Sequence, residues 1–377
     1  MVEIIIGLIV FLLFLNGLYF HGSIVLYFFS LYIVIYNNLN SLLLPTIIGI
    51  IVNFIFLFFV KKNLLKRSLI SAQVHKDPIF SRDYNFSVFY FFLFFVIISV
   101  NWYQLPWFNL SNFVEARMDF NSSSNLVQRV IKFVFPALFI GLIFKKKYLL
   151  FYISAIVFIL VEGSKSSIIT VFGVILFTNR YYLQIVPIKV TKLISYISVS
   201  FLAIASPFIL SKGQAFDYLL DRLKQSEVQP YLKLQDVYNS GINYPDFLLN
   251  PFQIFFNSLI GNESNIHTSG GNWLTNNSGV SKFEYLLRLF MEGILFDGIP
   301  GILFLFLITY FSFYLMRRIF ATIETNNTIF FIPLLYIEII SITYRGKLSN
   351  SITTYFFTTL LILLIFYVQK KFSFKYK

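Results

Sequence analysis

Five cations, Arg117, Arg129, Lys165, Arg288 and Arg345, fall at the ends of long apolar runs, on the face opposite to the main basic clusters of the chain. A guanidinium at the edge of hydrocarbon holds phosphate oxygens through two parallel N–H bonds, a geometry that an ammonium cannot copy. Charge developing on a departing pyrophosphate about 4 Å away, at an effective dielectric near 20, is worth on the order of 4 kcal/mol, roughly a thousandfold in rate. The competing reading of each cation is a helix-end side chain that snorkels to lipid headgroups. That reading strains for all five together, because the positive-inside bias should deplete this face.

Other polar residues gather near these cations. Glu115 and Asp119 flank Arg117 at a spacing of four, so on a helix all three share a neighbourhood. They have the chemistry to hold a divalent metal, but an ion-pair network that orients Arg117 is the favoured reading, and no metal site is expected. His267 stands in the Gly- and Asn-rich stretch Asn265-Ile266-His267-Thr268-Ser269-Gly270-Gly271-Asn272-Trp273. A neutral imidazole there can take the proton of an attacking sugar hydroxyl, or it is simply a surface histidine. Trp273, in the middle of a polar interval, is the tryptophan best placed to stack on a sugar, whereas Trp102 and Trp107 read as interfacial belt residues. Glu338 precedes Arg345 by seven residues on an apolar run, a spacing that puts a carboxylate and a cation on one helical face.

The elements that must position these groups follow from composition. With 57% hydrophobic, 20% aromatic and only 12% charged residues, the 377-residue chain cannot fold in water without exposing large apolar patches, so its solvent is a bilayer. The formal charge of +13 resembles a nucleic-acid signal until its distribution is read. Most of the basic residues sit in five clusters: Lys61 to Arg82, Lys145 to Lys147, Arg180 to Lys192, Arg317 with Arg318, and Lys370 to Lys377. Those clusters mark the cytoplasmic ends of spans, and no nucleic-acid partner is expected. The chain has no cysteine, which excludes disulfides, thiolate catalysis and Cys-ligated metals. Met1-Val2-Glu3 lacks the basic start of a signal peptide, so the first apolar run is expected to remain as a span.

A span needs about 20 apolar residues. Apolar runs near 4–20, 23–37, 42–60, 86–105, 131–144, 148–163, 167–183, 193–210, 294–316, 328–343 and 352–369 predict an all-α polytopic membrane protein with about eleven transmembrane helices, in a range of ten to twelve. Residues 1–377 form one integral membrane domain, and 211–291 form a large outer loop in which Asp217 to Lys224 and Phe247 to Leu259 predict short amphipathic helices. The C-terminus falls in the cytoplasm. No internal repeat and no glycine-rich phosphate loop is visible.

Val161-Glu162-Gly163-Ser164-Lys165-Ser166-Ser167, Phe283-Glu284-Tyr285-Leu286-Leu287-Arg288, and Glu292-Gly293 leading to Gly298-Ile299-Pro300-Gly301-Ile302 give the chain a resemblance to the Wzy-type O-antigen polymerases. The first stretch looks like a Gly-Ser-Arg turn of that family with Lys165 in the place of Arg. The resemblance implies a membrane glycosyltransferase of GT-C-like architecture in the bacterial inner membrane. Such an enzyme moves a glycan from one undecaprenyl pyrophosphate to the outer sugar of a second lipid-linked repeat unit. It implies no cofactor and no nucleotide sugar, basic side chains in place of a metal at the departing phosphates, and a chain-length regulator as a partner. Arg117 and Arg288 with His267 are then the expected catalytic residues, and Lys165, Arg345, Arg129, Trp273, Glu115 and Asp119 the expected pyrophosphate or glycan contacts. An O-antigen ligase of the same superfamily and a non-enzymatic lipid-linked oligosaccharide flippase are the alternatives.

Overall fold

The computed structural model describes residues 2–74, 139–143, 148–162, 169–181, 227–241, 274, 287–322 and 331–346. These are helical almost throughout: α1 (Val2–Leu15), α2 (Tyr19–Tyr36), α3 (Asn40–Val74), α4 (Tyr148–Glu162), a π-turn at Ile169–Gly173 that runs into α5 (Val174–Tyr181), α6 (Gln229–Ser240), α7 (Leu289–Thr322) and α8 (Phe331–Arg345). Residues able to adopt left-handed backbone end them. Gly17 (φ 72) closes α1, Asn38 (φ 55) closes α2, Gly241 (φ 68) closes α6 and Gly346 (φ 63) closes α8.

The expectation of about eleven membrane-crossing helices in a GT-C-like architecture does not hold. Among the described residues three helices are long and apolar enough to cross a bilayer: Tyr19–Tyr36, Asn40–Leu64 and Leu289–Arg318. The others fall short for a geometric reason. At 1.5 Å per residue, the 14 residues of α1 and the 15 of α4 and of α8 reach only about 21–23 Å, against a hydrocarbon core of about 30 Å. The runs near 86–105, 193–210 and 352–369 lie outside the described residues. With several long apolar helices, the chain is a multi-pass membrane protein. Its outward faces agree: Leu44, Ile47, Ile51, Phe54 and Phe58 make an exposed apolar stripe along α3, and Leu303, Leu307, Phe311 and Tyr314 make one along α7.

α7 is not one rod. Its backbone leaves helical geometry at Asp297 (φ −162, ψ 36) and Gly298 (φ 63, ψ −135), with Pro300 just beyond. Phe296 and Phe304 stack with ring centroids 5.3 Å apart, although eight residues of straight helix would separate them by about 12 Å. The chain therefore doubles back. A half-helix from Leu289 to Phe296 lies against the start of the longer arm, and the crossing is made by glycine: a Cβ on Gly293 would stand 2.6 Å from Cα of Ile302.

Ring contacts give the directions. Phe56 meets Phe306 at 5.7 Å and Phe59 meets Tyr310 at 6.3 Å, so α3 and the long arm of α7 run parallel. Lys61 and Lys62 consequently reach the same end of the bundle as Arg317 and Arg318. α8 runs antiparallel to α7, since Phe313 packs on Tyr336 at 5.0 Å while Gly346 abuts Leu287 and Glu292. Near the other end, Phe290 fills the space left by Gly49, where a Cβ would come within 2.7 Å of its ring. Lipid tails are as apolar as these side chains, so close packing and polar contacts carry helix association here.

Gly293→Ala is therefore expected to destabilise the protein in detergent by about 1–3 kcal/mol through overpacking at a backbone contact. Gly7→Ala, where a Cβ meets nothing within 4 Å, should be neutral or slightly stabilising, and paired thermal melts read the difference.

Candidate functional site

The polar groups of four helices converge where α7 begins. Arg288 is the residue before α7, and only 3% of its surface is exposed. Its Nη1 donates to the hydroxyl of Tyr231 at 2.6 Å, its Nη2 donates to Oε2 of Glu227 at 3.0 Å, and its Cζ lies 5.7 Å from the centre of the Tyr231 ring. The third nitrogen, Nε, is buried and has no acceptor among the described residues.

α6 delivers Tyr231, and the turn that leads into it delivers Glu227. Pro230 near its start and Gly241 just past its end fix its limits, and Tyr231 and Leu234 face inward while Asp236, Asn239 and Ser240 are exposed. Glu227 precedes Tyr231 by four residues, one turn along the same face. α2 delivers Tyr27, whose hydroxyl donates to the carbonyl of Thr343 at 2.7 Å and accepts the backbone N–H of Phe290. That N–H belongs to the first turn of α7 and has no partner within the helix, so Tyr27 acts as its cap. Ser30, one turn further, lies near the Tyr231 hydroxyl and donates its own proton to the carbonyl of Leu26 at 3.0 Å. Ser23 and Thr343 share a 2.9 Å hydrogen bond that ties α2 to α8.

Charge explains why acids are needed here. A helix N-terminus carries roughly half a positive charge, so a cation beside it is unfavourable unless anions offset both. Glu227 supplies one, and Glu292, in the first turn of α7 and 1% exposed, supplies a second carboxyl. Burial pulls the guanidinium pKa down, and the neighbouring Tyr231 and Glu227 more than reverse it, so Arg288 stays protonated. Burial likewise pushes the Tyr231 hydroxyl up to about 12, against the opposing pull of Arg288. The arrangement is a fixed, permanently charged, partly unsatisfied cation at the break-bearing helix, which suits recognition of an anion.

Of the residues singled out from sequence, the structure places Arg288 in this knot. Arg345 ends α8, is exposed, and lies over the ring of its neighbour Tyr344 at 5.8 Å; it is not among the partners of Arg288. Glu338 is half-buried and accepts from the Ser341 hydroxyl at 3.0 Å. Arg117, Arg129, Lys165, His267, Trp273, Glu115 and Asp119 lie outside the described residues, as do the amphipathic stretches Asp217 to Lys224 and Phe247 to Leu259. Among the described residues no group of three or more acidic or histidine side chains could hold a metal. Sequence reasoning passed over Glu227, Tyr231 and Tyr27, and met Glu292 only within a stretch that carries the family resemblance. A readable signal existed for Tyr231, in the Pro230 to Gly241 bracket around an amphipathic stretch.

The Tyr231 hydroxyl yields a pH test. Its folded pKa is raised from 10 to about 12, so the unfolded chain loses this proton first and stability falls as pH climbs between those values. Over that window the wild type should lose roughly 2 kcal/mol relative to Tyr231→Phe, as read by melts of both proteins at pH 9 and pH 12. No protein-family model, no curated protein and no solved structure matches this chain.

Proposed function

We propose that the chain is a membrane glycosyltransferase that polymerises undecaprenyl pyrophosphate-linked repeat units of a surface polysaccharide, with Arg288 as the group that binds the pyrophosphate of the donor. The observation that carries this reading is a buried, permanently charged guanidinium whose Nε–H finds no acceptor among the described residues, at the start of a broken helix. The local likeness of Phe283 to Arg288 and of Glu292 to Ile302 to the Wzy-type polymerases supports it from sequence. In this reading the end of the bundle marked by Lys61, Lys62, Arg317 and Arg318 faces the cytoplasm of a bacterial inner membrane. Arg288 then opens to the opposite side, where the repeat units are assembled, and the C-terminus is cytoplasmic.

The chemistry assigned to Arg288 is electrostatic. When the bond between the anomeric carbon and the pyrophosphate oxygen breaks, negative charge accumulates on the leaving group, and a donor fork already in place stabilises it without rearrangement. The acceptor sugar hydroxyl supplies the new bond and gives up its proton to a base. His267 remains the expected base, and Arg117 a second expected contact to phosphate. The donor and acceptor are both lipid-linked oligosaccharides, no cofactor is required, and a separate chain-length regulator is an expected partner.

A second reading, a non-enzymatic flippase for the same lipid-linked oligosaccharides, is favoured by one observation. The break at Asp297 and Gly298 makes α7 a discontinuous helix, an element that transporters use at their binding sites.

Cells carrying Arg288→Ala or Arg288→Lys should keep single repeat units on the carrier and lose the ladder of longer chains, with a fall in turnover of roughly a thousandfold for Ala. Purified protein given lipid-linked repeat unit in liposomes should lengthen glycans without an energy source. Translocation of the repeat unit without lengthening would replace the first reading by the second. A normal ladder from both variants would remove Arg288 from the mechanism.

A further inference from the structure

Two N–H groups, on Nε and Nη2, point along the same edge of a guanidinium and together form the fork that receives one anion side-on. In Arg288 that edge is half used. Glu227 takes Nη2 at 3.0 Å, Nε has no acceptor among the described residues, and Nη1, on the other edge, is committed to Tyr231. The two partners of this ion pair are also unequally anchored. The Arg288 side chain is 4% exposed and locked among Tyr231, Tyr27 and the α7 start, whereas the Glu227 side chain is 27% exposed and stands two residues before the first residue of α6. At that exposure the carboxylate keeps water as a partner after letting go of Arg288. The cation is fixed and the anion is releasable.

From this asymmetry we propose that Glu227 determines the specificity of the Arg288 site, acting as a built-in competitor that excludes singly charged phosphodiester headgroups and yields to a pyrophosphate. The proposal rests on the reading of Arg288 as the pyrophosphate site. A membrane presents phosphodiesters at a concentration that would occupy any open guanidinium at its surface. Exchanging the Glu227 carboxylate for a phosphodiester swaps one negative charge for one negative charge, so Coulomb energy gives no advantage to the newcomer. A lipid pyrophosphate diester carries two charges, one on each phosphorus, and its oxygens can engage Nε together with Nη2. Only such a ligand gains on both counts. The resident carboxylate thus converts a general anion site into one that discriminates by charge, which is specificity obtained by disfavouring the competitor.

The experiment uses the full chain purified in detergent and two soluble probes, inorganic pyrophosphate and dihexanoylphosphatidylglycerol, a monomeric phosphodiester lipid. Wild type should bind pyrophosphate at least about tenfold more tightly than the phosphodiester. Glu227→Gln, which keeps the shape and removes the charge, should bind the phosphodiester at least about tenfold better than wild type does, so that discrimination collapses. Glu227→Asp retains the charge and should retain discrimination, which separates loss of charge from loss of folding. Arg288→Lys should weaken both probes. Undiminished discrimination in Glu227→Gln overturns the role of Glu227 and leaves the pyrophosphate site standing. Pyrophosphate binding that is absent from wild type and Glu227→Gln alike, or unaffected in Arg288→Lys, overturns the site itself and this proposal with it.

Discussion

A guanidinium withdrawn from water sets the terms for the part of the fold around it. An isolated buried ion costs several kcal/mol even after relaxation, and Arg288 cannot escape by giving up its proton. The neighbouring elements answer that demand: Tyr231 from α6 and Glu227 just before it bind the guanidinium, and Tyr27 from α2 caps the helix that follows. Removing the charge and its partners together would be tolerated better than removing either side alone, because the cost lies in leaving one charge buried and unpaired. The retention of a charge at such cost points to use rather than to stability.

The break in α7 is what brings Arg288 to this place. An unbroken helix from Leu289 to Arg318 would extend about 45 Å, well past one bilayer. Folding the first eight residues back keeps the start of α7 beside Gly49 and Tyr27, within the bundle and within reach of α6. The crossing depends on Gly293 and Gly301 having no side chains, and on Gly298 accepting a positive φ. Backbone geometry and charge placement are thus parts of one arrangement.

Arg288 was legible in the sequence because an arginine at the edge of a long apolar run is conspicuous. The limits of α2, α4, α5 with its π-turn, and α8 lie within a few residues of the apolar runs, since backbone satisfaction in lipid leaves few alternatives, whereas α3 continues to Val74, well past the run that ends near residue 60. Hydropathy could not tell a crossing helix from a shorter buried one. α4 and α8 are as apolar as spans but cover 15 residues each. The partners of Arg288 were hidden for a different reason. Glu227 and Tyr231 precede it by 61 and 57 residues, and Tyr27 and Thr343 come from opposite ends of the chain, so no local spacing announces their meeting. The kink was present in writing, as Asp297-Gly298-Ile299-Pro300-Gly301, but such a string marks a turn in water as readily as a break within a helix.

The parallel pairing of α3 with α7 has a consequence for biogenesis. Two neighbours separated by more than two hundred residues cannot associate until the ribosome has made both, so the α2–α3 hairpin enters the membrane long before its principal contact exists. Gly49 waits for Phe290, Tyr27 for Thr343, and the hydroxyl of Ser23 for its partner on α8. A nascent chain halted before residue 343 would lack both Thr343 contacts to α2, and its unmatched polar groups would present a mark that membrane proteases and insertases can read.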